Sequence, residues 1–371
     1  MSTTVSAQLD NGQKLDSETL QFTADSSSAT VTGVEVDKKV ARADGQDTIT
    51  VQATVMDAEQ HPLANQPVDW AIRSAASSTH LSDKQSNTNE NGVATITLTS
   101  AKAGQGIVTA STGNSEPVES ETLTFMPDVK SATLSAITAD KTAAQANGAD
   151  AVTLSVKVED ANHNPIPGAQ ISWTTTSATA ILSASDTSTD AKGNASISVT
   201  STTVENVSVV ATMKEQAQTS PDLQFTVDNA TAAVESLNAD KTQAVANQND
   251  FITLTARVVD ANDHPVPDSP LKWQIVEGQA TLSATQTTTD QQGSGSITLT
   301  SSTQGNVVVS VSATAGDAVN SPALLSLRIP PRRRSATSRW TNPRALPTVM
   351  IILPIPQSLR MPPVTRSRIR R

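Results

Sequence analysis

A block of about 100 residues recurs three times along this chain, and this repeat limits the possible folds more than any other feature. Three markers return at spacings of 103 and then 100 residues. They are Asp37-Lys38, Asp140-Lys141 and Asp240-Lys241; Asp57-Ala58, Asp160-Ala161 and Asp260-Ala261; and Trp70, Trp173 and Trp273. Such periodicity predicts a linear array of similar modules that fold largely by themselves, and arrays of this kind set reach and spacing more often than they carry catalysis.

The pattern inside each repeat has a period of two residues. Apolar and polar side chains alternate over residues 49–56, 152–159 and 252–259, as in half-buried antiparallel strands. Clusters of Pro, Gly, Asn and Asp separate these segments, and no stretch has a sustained helical period. About seven short strands per ~100 residues predict an all-β chain of tandem immunoglobulin-like β-sandwiches, which we expect to form an extended array.

Trp70, Trp173 and Trp273 each follow a Pro-containing turn and lie on a short predicted strand. A single Trp packed between two sheets anchors the core of many such sandwiches. We therefore predict that these three residues belong to the structural core. The alternative is a platform for stacking sugars, which is disfavoured because the Trp recurs at one register among strand residues.

The repeat also predicts the domain boundaries. The first segment matches the end of a repeat, so it is interpreted as the remainder of a truncated preceding copy. The last strand of the third repeat is expected to be truncated near Leu325, and the tail that follows is expected to be disordered. The predicted segments are residues 1–27, repeat 1 at 28–130, repeat 2 at 131–230, repeat 3 at 231–326, and the tail at 327–371.

Charge divides the chain into two unlike parts. Residues 327–371 hold eleven Arg, eight Pro and no acidic residue, whereas residues 1–326 carry a net charge of −21. The acidic part would repel phosphate, so we predict no binding of nucleic acid there. The tail has the composition of a basic arm for nucleic acid or a membrane, but its codons favour a different interpretation.

The tail is interpreted as a fourth repeat translated one base out of frame. Trp340 is encoded only by TGG and the Thr341 codon begins with AC, so the codon that straddles them is GAC, for Asp. In the same way Met350-Ile351 gives Asp and Met361-Pro362 gives Ala. The codon that straddles Leu325 and Ser326 permits Phe, where a strand-ending Phe is due. The three forced residues fall at the places of Asp140, Asp150 and Ala161 in the repeat.

Several motifs follow one another in a fixed order within the repeats. In repeat 2 they are Ala-Asn-Gly-Ala-Asp at 146–150, Asp-Ala-Asn-His-Asn-Pro-Ile-Pro at 160–167, Trp173, and Thr-Asp-Ala-Lys-Gly at 189–193. This order resembles the bacterial immunoglobulin-like group 1 domain of the intimin/invasin family of Gram-negative adhesins, over residues 28–326. The resemblance implies a surface stalk, with an outer-membrane barrel at one end and a receptor-binding domain at the other. What this chain shares with the family is the stalk alone.

Histidines in the Pro-rich turns are weak candidates for a site. His61, His163 and His264 supply one imidazole per repeat, which cannot by itself form a metal site or a catalytic triad. We interpret all three as solvated turn residues.

Acidic turns offer a possible cation site, which the sequence leaves open. Residues 160–164 carry oxygen ligands at alternate positions, as calcium loops do, but capping of an Asx turn explains the same pattern. Calcium between domains remains an alternative because Asp25, Asp128 and Asp228 lie near the linkers. Cys is absent, and no phosphate loop, nucleophile motif or zinc-protease motif occurs. We predict no catalytic residue, no cofactor and no metal ligand.

The predicted function is a non-enzymatic spacer in a bacterial surface adhesin, which projects a distal binding domain. The expected partners are neighbouring repeats and, through domains outside this chain, a receptor on a host cell or another bacterium. The parent protein is expected at the cell surface or outer membrane, and this chain is expected to have no signal peptide or anchor of its own. One alternative is that the repeats themselves bind a receptor or glycan. A carbohydrate-acting enzyme would need a catalytic domain that the 371 residues leave no room for.

Overall fold

The protein is described by a computed structural model that covers residues 2–74, 78–113 and 115–328. The tail is predicted to begin at residue 327, but Leu327 belongs to the last strand of repeat 3. Residues 329–371, predicted to be disordered and out of frame, lie outside the described residues. Within them, the regular structure is β-strand apart from two 3-10 turns, Ser26–Ser28 and Asn229–Thr231. The predicted all-β fold of tandem immunoglobulin-like sandwiches is confirmed.

The strands before and within repeat 1 are short, and the longest have eight residues. Before the repeat they are β1 (Ser2–Thr3), β2 (Ser6–Gln8), β3 (Lys14–Asp16) and β4 (Leu20–Gln21). In repeat 1 they are β5 (Thr30–Val36), β6 (Val40–Arg42), β7 (Ile49–Met56), β8 (Pro67–Ser74), β9 (Thr79–Leu81), β10 (Gln85–Asn87), β11 (Val93–Ser100), β12 (Gly104–Ser111), β13 (Val118–Glu119) and β14 (Leu123–Met126).

Repeats 2 and 3 follow the same order of strands, but in repeat 2 the first strand and the strand over 205–213 are each divided in two. In repeat 2 they are β15 (Thr133–Leu134), β16 (Thr138–Ala139), β17 (Ala143–Gln145), β18 (Val152–Glu159), β19 (Gln170–Thr175), β20 (Ile181–Leu182), β21 (Asp186–Ser188), β22 (Asn194–Thr200), β23 (Glu205–Val207), β24 (Val209–Met213), β25 (Gln216–Thr219) and β26 (Leu223–Thr226). In repeat 3 they are β27 (Ala233–Ala239), β28 (Gln243–Val245), β29 (Ile252–Val259), β30 (Pro270–Glu277), β31 (Thr281–Leu282), β32 (Gln286–Thr288), β33 (Ser294–Thr300), β34 (Gly305–Ser312), β35 (Val319–Asn320) and β36 (Leu324–Leu327).

Each repeat packs two layers of strands against each other, and the first strands are divided between them. In repeat 2 the second layer is broken at Ser208 into β17-β26-β23 and β21-β19-β24-β25. In repeat 1, one sheet has the order β5-β7-β11-β9 and the other has the order β10-β8-β12-β14-β6. The pairing of β6 with β14 is parallel, while their neighbours are antiparallel. The same parallel pairing joins β17 to β26 and β28 to β36. The chain therefore crosses between the sheets before the long strand β7 and its counterparts begin.

The inner faces of the sheets form one core per repeat. Ile49, Val51, Ala53 and Val55 on β7 have no exposed surface, because alternate residues of a strand point to the same face. The three Trp side chains lie in these cores with 2–4% of their surface exposed. Each indole N–H donates a hydrogen bond to a hydroxyl on the neighbouring strand, which satisfies its one polar atom. The donor and acceptor pairs are Trp70 with Ser86, Trp173 with Thr187, and Trp273 with Thr287.

The last strand of repeat 3 differs from the expectation of a truncated strand. Strand β36 has four residues, as β14 and β26 do, and it pairs with both β28 and β34. The backbone pairing survives because main-chain hydrogen bonds do not depend on side-chain identity. On this last strand, repeat 3 lacks the aromatic side chain of the other repeats, because Ser326 occupies the place of Phe125 and Phe225.

The first described segment has the geometry of the last hairpin of a repeat. The Ser17 amide donates to the Val5 carbonyl oxygen at 2.8 Å, and the Ser120 amide donates to Val108 in the same way at 2.8 Å. The apolar face of this hairpin is open, because Leu20 is 45% exposed while Leu123, its counterpart in repeat 1, is fully buried. The assignment of residues 1–27 to the end of a preceding repeat stays a prediction.

Three glycines mark a turn at which the backbone approaches another strand closely. Gly92, Gly193 and Gly293 have φ angles of 76°, 77° and 72°, in the left-handed region that favours glycine. A Cβ atom at Gly193 would lie 2.5 Å from the Val158 carbonyl oxygen, whereas one at Gly168, with φ +75°, would meet nothing within 4 Å. The Gly193 position is therefore closed to side chains for a steric reason as well as a conformational one.

We expect Gly193→Ala to destabilise repeat 2 by roughly 2–4 kcal/mol, because the new methyl group displaces the backbone of β18. Gly168→Ala is the matched control, since it carries the same left-handed strain without the contact, and should cost about 1 kcal/mol. Calorimetric unfolding of the two variants checks this. Equal losses would show that backbone conformation alone selects glycine at both positions.

Candidate functional site at the joints between repeats

Each repeat contains one buried aspartate in the turn that follows its long first-sheet strand. Asp57, Asp160 and Asp260, here called the joint carboxylates, are 2–3% exposed. In each, Oδ2 accepts a hydrogen bond from the backbone N–H of a linker residue that precedes the repeat. The linker donors are Asp25 at 3.1 Å, Asp128 at 3.0 Å and Asp228 at 3.1 Å.

The other oxygen of each joint carboxylate shapes the turn itself. Oδ1 of Asp160 accepts from the backbone N–H groups of Asn162 and Asn164, both at 2.9 Å. A second bond ties the turn to the linker, since the Ala161 amide donates to Ser131 Oγ at 3.3 Å. Equivalent bonds occur in repeats 1 and 3. In every repeat, the joint carboxylate and a linker hydroxyl therefore hold the turn and the linker together.

The residue four positions after the joint carboxylate supplies one further donor to Oδ2. In repeat 2 this is the side-chain amide of Asn164, at 2.8 Å. In repeats 1 and 3 it is Nδ1 of His61 at 3.1 Å and of His264 at 3.0 Å. Asn and His are interchangeable here because each can present an N–H group to the carboxylate.

The alignment of the three turns corrects the prediction that all three histidines are solvated turn residues. His163 is not the counterpart of His61 and His264 but lies one residue earlier, at a left-handed position with φ 58°. The side chains of His163 and His61 are 82% and 65% exposed, in keeping with solvated turn residues. His264 is only 17% exposed and contacts Asp260, so that interpretation is wrong for it.

Asn164 also forms the joint between repeats 1 and 2. Its Nδ2 donates to the Ala101 carbonyl oxygen at 3.0 Å, and its Oδ1 accepts from the Ala103 amide at 2.9 Å. The residue is 2% exposed. One side chain thus connects the joint carboxylate of repeat 2 to a loop of repeat 1.

Three neighbouring contacts extend this joint. Asn162 Nδ2 donates to the Ala43 carbonyl oxygen at 3.1 Å, and Lys102 Nζ donates to the Asn162 carbonyl oxygen at 2.5 Å. The Arg42 guanidinium lies 3.8 Å from the Asp128 carboxylate in the linker. Repeat 1 therefore contacts both the turn and the linker of repeat 2.

The joint between repeats 2 and 3 is built differently. Over residues 115–328, no hydrogen bond connects the loops of repeat 2 to Asn262 or His264. The counterpart of Lys102 in repeat 2 is Thr203, whose side chain is too short to reach across. Val204, in the place of Ala103, remains 46% exposed. The sequence analysis missed this difference, although Lys102 and Asn164 each occur in one repeat only.

Hydrogen bonding keeps the joint carboxylates ionised. Burial alone raises the pKa of Asp160, but the bonds donated by Asn164 and Asp128 outweigh it and hold the pKa below its ordinary value. The pKa of Asp260 is lowered against the effect of burial by bonds from Asp228 and His264. For Asp57 the largest effect is the hydrogen bond from the His61 backbone, which lowers its pKa.

The same bonds bear on the alternative of calcium at the joints. Both oxygens of Asp160 already accept two N–H donors each, so a cation would have to displace hydrogen bonds that hold the linker. Among the described residues, no group of three or more His, Asp and Glu side chains is placed to hold a metal ion. The chemistry available at the joints is therefore the recognition of one repeat by the next.

Three β-sandwiches, each with a joint carboxylate in the same turn, define a tandem immunoglobulin-like protein. The chain belongs to the bacterial Ig-like domain (group 1) family, whose sequence profile matches residues 31–126, 134–226 and 234–324. The resemblance found in the sequence is thereby confirmed.

Curated relatives are far longer than this chain. The inverse autotransporter adhesin YeeJ of Escherichia coli K12 is 30% identical over 316 residues, which are 84% of this chain and 13% of the adhesin. Intimin of Escherichia coli O127:H6 is 37% identical over 197 residues, 53% of this chain and 20% of intimin. The chain is thus homologous to domains of intimin-type adhesins and spans a fifth or less of their length.

Solved structures of the same group also match. The D0-D1 domain of intimin is 36% identical, covers 53% of this chain and 100% of that one, and has a TM-score of 0.26. Invasin is 22% identical, covers 80% of this chain and 60% of that one, and has a TM-score of 0.45. In the part of this chain that the structure describes, no helix is long and apolar enough to cross a membrane.

We expect Asp160→Asn to destabilise repeat 2 by about 1–3 kcal/mol at pH 7, because an amide group in place of Oδ2 leaves two buried N–H donors without an acceptor. A lowered folded-state pKa adds stability above the unfolded pKa of about 3.9 and loses it as pH falls through the folded value. The difference between wild type and variant should therefore shrink as the pH falls below about 4.

Thermal unfolding at pH 7 and pH 3 measures this difference. Asp222→Asn is the control, because Asp222 is exposed and accepts a hydrogen bond from the Ser208 hydroxyl outside the joints. A loss for Asp160→Asn that stayed constant across this pH range, or that Asp222→Asn matched, would contradict the role given to the joint carboxylate.

Proposed function

We propose that residues 28–326 form a non-enzymatic spacer in a bacterial surface adhesin and hold a distal binding domain away from the cell surface. The observation that carries this proposal is the joint between repeats 1 and 2. There Asn162, Asn164 and Lys102 form hydrogen bonds with the neighbouring repeat. A joint of this kind transmits orientation from one module to the next, which is what a spacer requires.

Size and charge support the same role. The long strands have seven or eight residues, so at about 3.3 Å per residue each sandwich is roughly 30 Å long. Three sandwiches placed end to end would span on the order of 100 Å. The net charge of −21 on residues 1–326 opposes folding back of one repeat onto another.

The relatives support an adhesive context and not a catalytic one. YeeJ is described as an adhesin, and invasin as an integrin-binding protein. A fragment of intimin has been solved in complex with the intimin-binding domain of the translocated intimin receptor. By analogy, we place the receptor contact of the parent protein in a domain beyond these repeats, and the parent protein itself at the bacterial surface.

A second function is favoured by one surface feature. Phe251 is 49% exposed, and Lys241 Nζ lies 5.9 Å from the centre of its ring. The equivalent residues in the other repeats are Thr48 and Ala151, so this aromatic belongs to repeat 3 alone. An exposed aromatic beside a cation suits a glycan or a protein receptor, and it makes repeat 3 the place where direct binding by a repeat would occur.

Small-angle scattering of the whole chain, combined with a cell-binding assay, tests the spacer function. We expect a maximum dimension on the order of 100 Å or more and no saturable binding to host cells. A compact particle of about half that dimension would contradict the spacer. Saturable binding that Phe251→Ala abolishes, and that Thr48→Ala leaves intact, would favour the adhesive repeat instead.

A further inference from the structure

The last strand of repeat 3 carries a small polar residue where the other repeats carry an aromatic ring. Phe125 and Phe225 end the last strands of repeats 1 and 2 and are 3% and 1% exposed. Ser326 occupies this place in repeat 3. Beside it lies a cavity of about 10 Å³ whose apolar lining includes Ile252, Leu299, Val307 and Leu324. A hydroxymethyl group therefore stands where the other repeats place an aromatic ring.

The codons at this place are compatible with the missing residue. Read one base earlier, the codon that straddles Leu325 and Ser326 can be TTC, for Phe. Farther along, the same frame forces Asp at Trp340-Thr341, Asp at Met350-Ile351 and Ala at Met361-Pro362. The departure from the repeat pattern thus begins at Ser326, the residue that stands in the place of the buried Phe of the other repeats.

The backbone geometry of the joint adds an independent match. The third position after the joint carboxylate has φ 66°, 58° and 64° at Gln60, His163 and Asp263, a conformation that glycine adopts without strain. In the earlier frame, the codon across Pro363 and Val364 has the form NGT, which includes Gly. The next codon, across Val364 and Thr365, has the form NAC. It includes both Asn and His, the two residues that serve as the fourth donor to a joint carboxylate.

The loop geometry that receives Asn164 in repeat 1 recurs at the C-terminal ends of repeats 2 and 3. Docking therefore depends on the residue that the next repeat presents, and among the described residues His264 makes no such bond to repeat 2. The Gly45 amide donates to the Ser100 carbonyl oxygen at 3.0 Å, and the Gln248 amide donates to the Ser301 carbonyl oxygen at 3.1 Å. Ser100 and Ser301 also accept, through Oγ, the amide two residues later, at 3.1 and 3.0 Å. The groups that bind Asn164 side-chain atoms, the Ala101 carbonyl oxygen and the Ala103 amide, correspond to Ser302 and Gln304, and both of these residues are exposed.

We propose that this end of repeat 3 is a docking face for a fourth immunoglobulin-like repeat. The face is formed by the backbone of Ser302, Gln304 and Ala246, the last of which corresponds to Ala43 in repeat 1. The gene encodes that repeat one base earlier, beneath residues 326–371. Its Asp-Ala-x-Gly-Asn-Pro turn would present Asn to the docking face as Asn164 is presented to repeat 1. The basic tail is translated in place of this repeat.

The nucleotide sequence of the gene tests the origin of the tail directly. We expect the Leu325 codon to end in T and the Ser326 codon to begin with TC. In the earlier frame, the stretch through codon 371 should be free of stop codons and should encode the Asp-Ala-x-Gly-Asn-Pro turn. A stop codon in that stretch, or a turn without Asn after Gly, would overturn the proposal.

Docking itself is tested by a graft. Residues 328–371 are replaced by a second copy of residues 127–226, which carries the Asn164 turn. We expect amide exchange at Gln304 to slow at least tenfold, and to return to the rate of the parent chain when the grafted Asn is changed to Ala. Unchanged exchange at Gln304 in the graft would rule out the docking face.

Discussion

A buried carboxylate with too few hydrogen bonds would destabilise any of these repeats, and this constraint organises the joints. Asp160 has almost no contact with water, so its two oxygens need N–H donors from the protein. The chain supplies them from two places at once, the linker before the repeat and the turn inside it. As a result, the direction in which each repeat leaves its linker is tied to the stability of its own core.

All three repeats share the hydrogen-bonded joint carboxylate, but they differ in the residues around it. The donor four residues after the carboxylate is Asn in repeat 2 and His in repeats 1 and 3, and only Asn164 also contacts the preceding repeat. Lys102 adds a contact that Thr203 cannot make in the next joint. Modules with nearly the same sandwich can therefore be coupled to different degrees by one or two substitutions in the loops, without a change in their cores.

Much of the fold followed from the sequence, because it depends on patterns of local residue type. Alternation of apolar residues located the long strands, and the recurring Trp marked the cores. The joints were harder, because they depend on which donors meet across 60 or more residues of sequence, as Lys102 and Asn162 do. The residue type alone was also misleading, since aligning His163 with His264 placed it one residue out of register. The last strand of repeat 3 formed despite the change at Ser326, because pairing is made by the backbone.

The central claim is that repeats 1 and 2 are coupled by Asn164, whereas repeats 2 and 3 lack an equivalent bond. The chain has no Cys, so pairs of spin labels can be placed on exposed strands of adjacent repeats and their distance distributions measured by pulsed electron paramagnetic resonance. The account predicts a narrow distribution across the first joint that broadens in Asn164→Ala, and a broader one across the second joint that Asn164→Ala leaves unchanged. Equal widths across both joints, or no effect of Asn164→Ala on the first, would contradict it.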